Sequence, residues 1–504
     1  VSGGLARASW DFLAEERRFG STFGPDLPVW VALLVLPLSF ALIAWRLGRG
    51  AGDGWGLRVG GLAAAVAGWW LAGTELLAGL PAWPGLVLLL VATVAGLPIF
   101  AAIGGAAILL FLADGVPAAA VPLETYSLNV SATLPAIPLF TLAGFLLAEG
   151  TTSKRLLRLF RAWVGWLPGG TAIVCAFVCA FFTVLTGGSG VTILALGALL
   201  FAALREEGYG ERFSLGLLTS SGALGLLWPP ALPLILYAVV AGVAVDDLFL
   251  AGIVPGTLLV ALVALWGVMT ARRRSTRRQE FIWAEARAAL WGAKWELLLP
   301  PFILLAVFGG FATLVEASAL TVLYCFLVQA VAHRDLSLRR DLPRVLKHCV
   351  VLLGGVLVIL GVAKGFTNYL VDAQVASMLV DWTQTHIGSR LLFLLALNLV
   401  LLLVGCLMDI FSAIVVVVPL ILPLAAAFGV DPIHLGILFV ANLELGYLTP
   451  PVGLNLFLAS YRFDRPLLEV ARSVLPALLL LALGVLLITY VPAMTLWLPG
   501  LFAD

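Results

Sequence analysis

The sequence predicts an all-α polytopic membrane protein made of two inverted halves, each carrying a re-entrant hairpin and a broken helix. Three observations lead there. The first is composition: 62% of the 504 residues are hydrophobic, 11% are charged, and the mean hydropathy is +1.10. A water-soluble chain of this length has no core large enough for so much apolar surface. The second is an internal echo. Leu224-Gly225-Leu226-Leu227-Trp228-Pro229-Pro230 returns as Leu445-Gly446-Tyr447-Leu448-Thr449-Pro450-Pro451, an offset of 221 residues. The same offset carries Gly144 onto Gly365, Gly208 onto Gly429 and Pro255 onto Pro476, as a duplication does. The third is charge. With the Arg-rich linker at Arg272 set in the cytoplasm, 24 of the 29 Lys and Arg fall inside. Arg7, Arg17, Arg18 and Arg390 fall outside, and Lys364 lies within a span. That bias satisfies the positive-inside rule and places the matching amphipathic stretches of the two halves on opposite faces.

In chain order, apolar segments at 27–45 and 57–79 come first and have no counterpart in the repeat. They define a front module (1–50) and a connecting helix (51–84). The N-terminus, Val1-Ser2-Gly3-Gly4, lacks Met, and 9–18 is polar, unlike a secretory signal. A truncated or processed longer chain is the expectation. The first half (85–271) opens with 85–112, bent at Gly96-Leu97-Pro98. A polar stretch (114–133) and a span (136–147) follow. In 151–166, Lys154, Arg155, Arg158 and Arg161 form one stripe, which suits a helix lying in the membrane interface. Segments 172–186 and 191–204 flank Gly187-Gly188-Ser189-Gly190. At about 14 residues each they fall short of the roughly 20 a span needs, so a re-entrant hairpin is expected. The Pro-pair segment (213–243) and a span (248–270) close the half. After the linker (272–296), the second half (297–504) repeats the plan, with a hairpin tip at 408–412, a broken segment at 435–461 and a last span at 467–491.

Two apolar segments broken by Gly and Pro at matching positions point to a transporter's midplane site. Unwound carbonyls and hydroxyls there coordinate a hard cation, and half-helix N-termini favour an anion. The candidates are Gly187, Gly188, Ser189, Gly190, Gly222, Gly225, Pro229 and Pro230 in the first half. In the second they are Asp409, Ser412, Asn442, Gly446, Thr449, Pro450 and Pro451. Asp409 is a carboxylate in an apolar run, an expensive placement that points to function. Glu316 and Lys364 raise the same question. The bland alternative is that Gly-rich kinks only let helices pack closely. The five cysteines lie in or beside apolar segments and read as packing residues. No Walker motif, HExxH or Ser/His/Asp arrangement occurs, so neither ATP-driven nor hydrolytic chemistry is indicated, and the chain does not read as an enzyme. No basic, aromatic-interleaved patch suggests nucleic acid.

Gly187-Gly188-Ser189-Gly190-Val191, Glu207-Gly208-Tyr209, Trp228-Pro229-Pro230 and the run Leu248 to Gly256 resemble the large membrane subunit of TRAP (tripartite ATP-independent periplasmic) transporters. So do Thr313-Leu314-Val315-Glu316-Ala317, Gly429-Val430-Asp431-Pro432-Ile433-His434 and Thr449-Pro450-Pro451-Val452-Gly453. The resemblance extends from about Gly85 to the C-terminus. Where the family has Ile-Pro-Pro-Ser, this chain has Trp228-Pro229-Pro230-Ala231 and loses a hydroxyl. Segment 27–42 resembles the last helix of the family's small subunit, which implies a small–large fusion and the remainder of that subunit as a partner. The resemblance further implies an elevator-type secondary transporter of the bacterial inner membrane with a periplasmic C-terminus. It implies sodium as coupling ion, with Ser189 and Thr449 as its ligands and no tightly bound cofactor. An organic anion such as a C4-dicarboxylate or sugar acid is the expected substrate, delivered by a periplasmic binding protein. Alternatives are a stand-alone sodium/carboxylate symporter of related architecture and, from another class, a channel or membrane scaffold.

Overall fold

The computed structural model describes residues 1–23, 27–50, 55–128, 131–274 and 280–502. The start of the connecting helix (51–54), residues 129–130 of the polar stretch and the linker arginines Arg277 and Arg278 lie outside them. The described chain is helical apart from one antiparallel ladder of two-residue strands, β1 (Thr22–Phe23) and β2 (Leu27–Pro28). Two compact units emerge, one of Val1–Ser131 with Gly354–Leu379, the other of Ala132–Leu353 with Val380–Asp504.

The first unit holds α1 (Ser2–Phe19), α2 (Val29–Leu33), α3 (Val35–Arg49), α4 (Trp55–Ala72), α5 (Trp83–Val94), α6 (Ile99–Ala113) and α7 (Ala120–Ser127). Helix α1 covers 9–18, a stretch whose sequence is mostly polar. Leu5, Ala8, Phe12 and Leu13 recur at helical spacing and are buried, and α1 packs on α3 and α4. The turn between α5 and α6 falls at the expected Gly96, whose φ of 103° suits glycine.

The second unit runs through α8 (Ala136–Glu149), α9 (Thr152–Val164), α10 (Gly170–Thr186), α11 (Ser189–Glu206), α12 (Glu211–Ser221), α13 (Leu232–Ala241) and α14 (Val245–Arg274). It continues through α15 (Trp283–Gly292), α16 (Lys294–Phe308) and α17 (Leu314–Leu327). Helices α18 (Asp341–Asp372) and α19 (Val375–His386) are shared between the units. Then come α20 (Arg390–Leu407), α21 (Ile410–Ala427), α22 (Pro432–Gly446), α23 (Leu454–Phe463), α24 (Leu467–Tyr490) and α25 (Ala493–Phe502). Shifted by 221 residues, the starts of α10 to α14 fall within one residue of the starts of α20 to α24. The packing is mirrored too: α11 lies on α23 and α21 on α13, α12 on α24 and α22 on α14, α10 on α12 and α20 on α22.

The hairpin arms differ from expectation in length. In the first hairpin α10 has 17 residues, because it already starts at Gly170, and α11 has 18, because Ser189 and Gly190 already belong to it; α20 and α21 have 18 each. Length alone therefore no longer separates a re-entrant hairpin from two spans, since at 1.5 Å per residue an 18-residue helix is about 27 Å long.

Helix α9 turns 74° from α8, and its basic stripe is not uniform. Arg155 points inward and bridges the buried Glu296 at 2.6 Å and Asp335 at 2.7 Å. Burial pushes the Asp335 carboxyl up, but hydrogen bonds from Arg155 and from the Thr151 hydroxyl and amide outweigh it and hold it below its ordinary 3.8. A depressed folded-state pKa adds stability that is full above the unfolded value and lost as pH falls through the folded one. Asp335→Asn is therefore expected to be destabilised at neutral pH, with its gap from the parent chain closing below about pH 4. Thermal midpoints of both proteins across pH check this, and a constant gap down to pH 2 would contradict it.

Candidate functional site

In each half, the hairpin's first arm packs against the break of its own broken helix. The first break spans the residues between α12 and α13, and Pro229-Pro230 is cis within it. Glycine makes the contact possible. A Cβ on Gly225 would lie 2.1 Å from the Ala180 carbonyl oxygen, and one on Gly222 would lie 2.6 Å from the Ile193 side chain. The Thr183 hydroxyl donates to the Gly222 carbonyl at 2.8 Å and shares a 2.6 Å hydrogen bond with the Thr192 hydroxyl. The tip turns at Gly187, whose φ is 67° and whose N–H donates to Thr183 O. Ser189 opens α11, buried beside Gly222: a Cβ there would lie 3.4 Å from the Ser189 carbonyl oxygen. The structure thus brings Gly187, Ser189, Gly222 and Gly225 together. Gly190 instead faces Leu458 of α23, in the other half.

The second tip is built differently. Asp409 accepts hydrogen bonds from the amides of Phe411 and Ser412 and from the Ser412 hydroxyl, and so caps α21. The Ile410 amide donates to the Tyr447 hydroxyl at 2.6 Å, tying the tip to the second break. Gly446 sits where a Cβ would come 2.5 Å from Gly405, and the Gly453 amide donates to the Cys406 carbonyl at 3.1 Å. Pro450-Pro451 is cis and exposed, and Thr449, half-buried, donates its hydroxyl to Leu445 O at 2.9 Å. Asn442 lies apart from the tip. Its amide donates to Asn398 on α20 at 2.7 Å and to Leu438 O, in a buried group completed by Thr489.

The two other charges in doubt have local roles. Glu316 completes a capping box with Thr313 at the start of α17. Lys364 donates to the Ser127 hydroxyl at 2.6 Å within the first unit. Glu444 is a further buried charge, outside the candidates that the sequence pattern marks. It is 3% exposed on α22, and neither carboxylate oxygen has a hydrogen-bond partner among the described residues. Ser221 Oγ and Asn455 Oδ1, at the ends of α12 and α23, are likewise buried and unpartnered there. A buried carboxylate in an apolar helix is costly without a compensating charge or proton. The signal was present in Asn442-Leu443-Glu444, polar letters inside an apolar run. The five cysteines are buried and free, and no metal-binding group of His, Cys, Asp or Glu occurs among the described residues.

Among the described residues, eight helices are long and apolar enough to cross a membrane, or ten if each of two bent helix pairs counts as one span. Together with two helices interrupted at Gly-rich breaks against hairpin tips, they define a polytopic membrane transporter. Residues 86–494 match the family model described as tripartite ATP-independent periplasmic transporter, DctM component. The chain belongs to that family, whose members are permeases rather than enzymes. It is 33% identical over 491 residues to the isethionate TRAP transporter permease protein DctMQ of Oleidesulfovibrio alaskensis, covering 94% of this chain and 76% of that one. It is 36% identical over 405 residues to the C4-dicarboxylate TRAP transporter large permease protein DctM of Pseudomonas aeruginosa, covering 79% and 92%. Among solved structures, the YdaH transporter of Alcanivorax borkumensis shares the fold, with a TM-score of 0.54 at 16% identity over 72% of this chain and 85% of that one.

Proposed function

We propose that the chain is the permease of a sodium-driven, binding-protein-dependent importer of small organic anions in the bacterial inner membrane. The observation that carries this reading is the twice-built packing of a hairpin arm on a Gly-Pro break, at a common offset of 221 residues. Half-helix ends and freed carbonyls at such breaks suit a cation beside an anion. Relatives named for isethionate and C4-dicarboxylate transport share a small anionic substrate, which supports that class here. Residues 1–50 act as the C-terminal part of a small-subunit module, 51–84 as the connecting helix, and 85–271 and 297–504 as inverted repeats about a cytoplasmic linker (272–296). The similarity to a chain named DctMQ, over nearly the whole length, supports the fusion. The C-terminus lies in the periplasm. Hairpins and broken helices form a transport domain that moves as an elevator, with substrate affinity raised by bound sodium.

Sodium is held at the first tip by Ser189 and at the second break by Thr449, each with nearby carbonyls. Ser189→Ala and Thr449→Ala are expected to raise the half-saturating sodium concentration for uptake about tenfold, the equivalent of roughly 1.4 kcal/mol. Initial uptake rates against sodium at saturating substrate read this out. Sodium activation unchanged in both variants would remove the assignment.

A further inference from the structure

Beside the first hairpin lies a cavity of about 420 Å³ lined by Lys154, Leu157, Arg158, Arg161, Leu199 and Glu285. It is walled by α9, the hairpin arm α11 and α15, all within the second unit. Its charges do not balance. Glu285 takes two hydrogen bonds from Arg158, at 2.6 and 3.0 Å, and those two charges cancel. Arg161 reaches Glu207 through one terminal nitrogen only, at 3.3 Å, so it is held by a single long contact. Lys154 has no ion-pair partner among the described residues. An unpaired Lys154 and a weakly held Arg161 therefore line the cavity, against walls made apolar by Leu157 and Leu199.

Aromatic residues that end or follow α9 and precede or open α15 give the depth. Trp163 meets Trp283 with ring centroids 6.0 Å apart, Trp166 meets Phe281 at 6.2 Å, and Phe281 meets Trp283 at 6.2 Å. All four rings are exposed, and the Trp163 indole N–H donates to Ala286 O. An exposed Trp cluster beside a basic amphipathic helix marks the headgroup level of a bilayer.

We propose that this cavity seats the phosphate of an acidic phospholipid, with Lys154 and Arg161 as its ligands and Leu157 and Leu199 against the start of its acyl chains. A lipid there bridges the interfacial helix α9 and the hairpin arm α11. Basic side chains at a membrane surface contribute about 1 kcal/mol each toward acidic lipid, so losing one weakens retention roughly fivefold. The inference rests on the membrane placement of α9, and on neither sodium coupling nor the transported substrate.

The test uses the full purified chain in detergent, without transport. Its thermal midpoint is measured with added phosphatidylglycerol, phosphatidylcholine or inorganic phosphate, and bound lipid is counted by native mass spectrometry. Phosphatidylglycerol is expected to raise the midpoint and be retained, while the other two do neither. Lys154→Gln/Arg161→Gln is expected to lose that selectivity. Lys154→Glu alone, which leaves the Arg161–Glu207 pair intact, serves if the double variant does not fold, and it too should lose retention. Equal stabilisation by phosphatidylcholine, or selectivity unchanged in these variants, overturns the proposal. Stabilisation by inorganic phosphate to the same extent overturns the lipid and leaves a soluble anion in its place.

Discussion

Gly225→Ala and Gly446→Ala are each expected to abolish uptake and to lower the thermal midpoint of the purified chain. The two residues are one offset of 221 apart and do the same work. A Cβ at Gly225 would lie 2.1 Å from Ala180 O and 2.8 Å from Val184 N, and one at Gly446 would lie 2.5 Å from the backbone of Gly405. Ordinary overpacking costs about 1–3 kcal/mol because side chains shift to relieve it. Here the obstacle is the backbone of α10 or α20, so a whole hairpin arm must move. The native contact and the geometry of the tip are then lost together. Gly355→Ala is the control: a Cβ there meets nothing within 4 Å, and alanine in a helix is favoured over glycine by about 1 kcal/mol. Uptake near the parent rate in both variants would show that the breaks are mere kinks and would sink the packing argument.

Asp409→Ser is expected to fold like the parent and lose at least about tenfold in uptake, a change of roughly 1.4 kcal/mol. The substitution separates two roles that the geometry combines. Asp409 caps α21 by accepting from Phe411 N, Ser412 N and the Ser412 hydroxyl, and serine is as good a cap residue as aspartate. What serine lacks is the negative charge. Asp409→Ala removes both and should add a cap loss of about 0.5–2 kcal/mol in stability. Full uptake in Asp409→Ser would make Asp409 a capping residue alone. Reduced uptake with an unchanged midpoint would assign the charge to transport.

The parts of this architecture legible in the sequence are those written in glycine, proline and hydropathy. Gly187 and Asp409 mark the two tips, and Gly225 and Gly446 mark the close approaches, because only glycine tolerates them. The bend at Gly96 was legible for the same reason. What escaped depends on tertiary context. Helix α1 begins with Gly3-Gly4, poor helix formers, and carries Arg7, Asp11, Glu15 and Glu16, so its buried Leu5–Phe12 face was masked by charge. Arm α11 is longer than its apolar run because Ser189 and Gly190, which look like loop residues, belong to the helix, where Ser189 lies beside Gly222 and Gly190 against Leu458. Asn442 reads as an oxygen ligand, yet α20 supplies Asn398 as its partner, which no spacing rule shows. Glu444 was as visible a letter as Asp409, but only burial reveals that it has no partner among the described residues.

The most direct test of the central claim is uptake into proteoliposomes containing this chain, with a small membrane subunit of the family and a cognate periplasmic binding protein supplied. Labelled isethionate and C4-dicarboxylates are followed with and without an inward sodium gradient. Accumulation that needs both the gradient and the binding protein is the predicted result. Accumulation that persists without sodium, or that proceeds at the full rate without any binding protein, would contradict it.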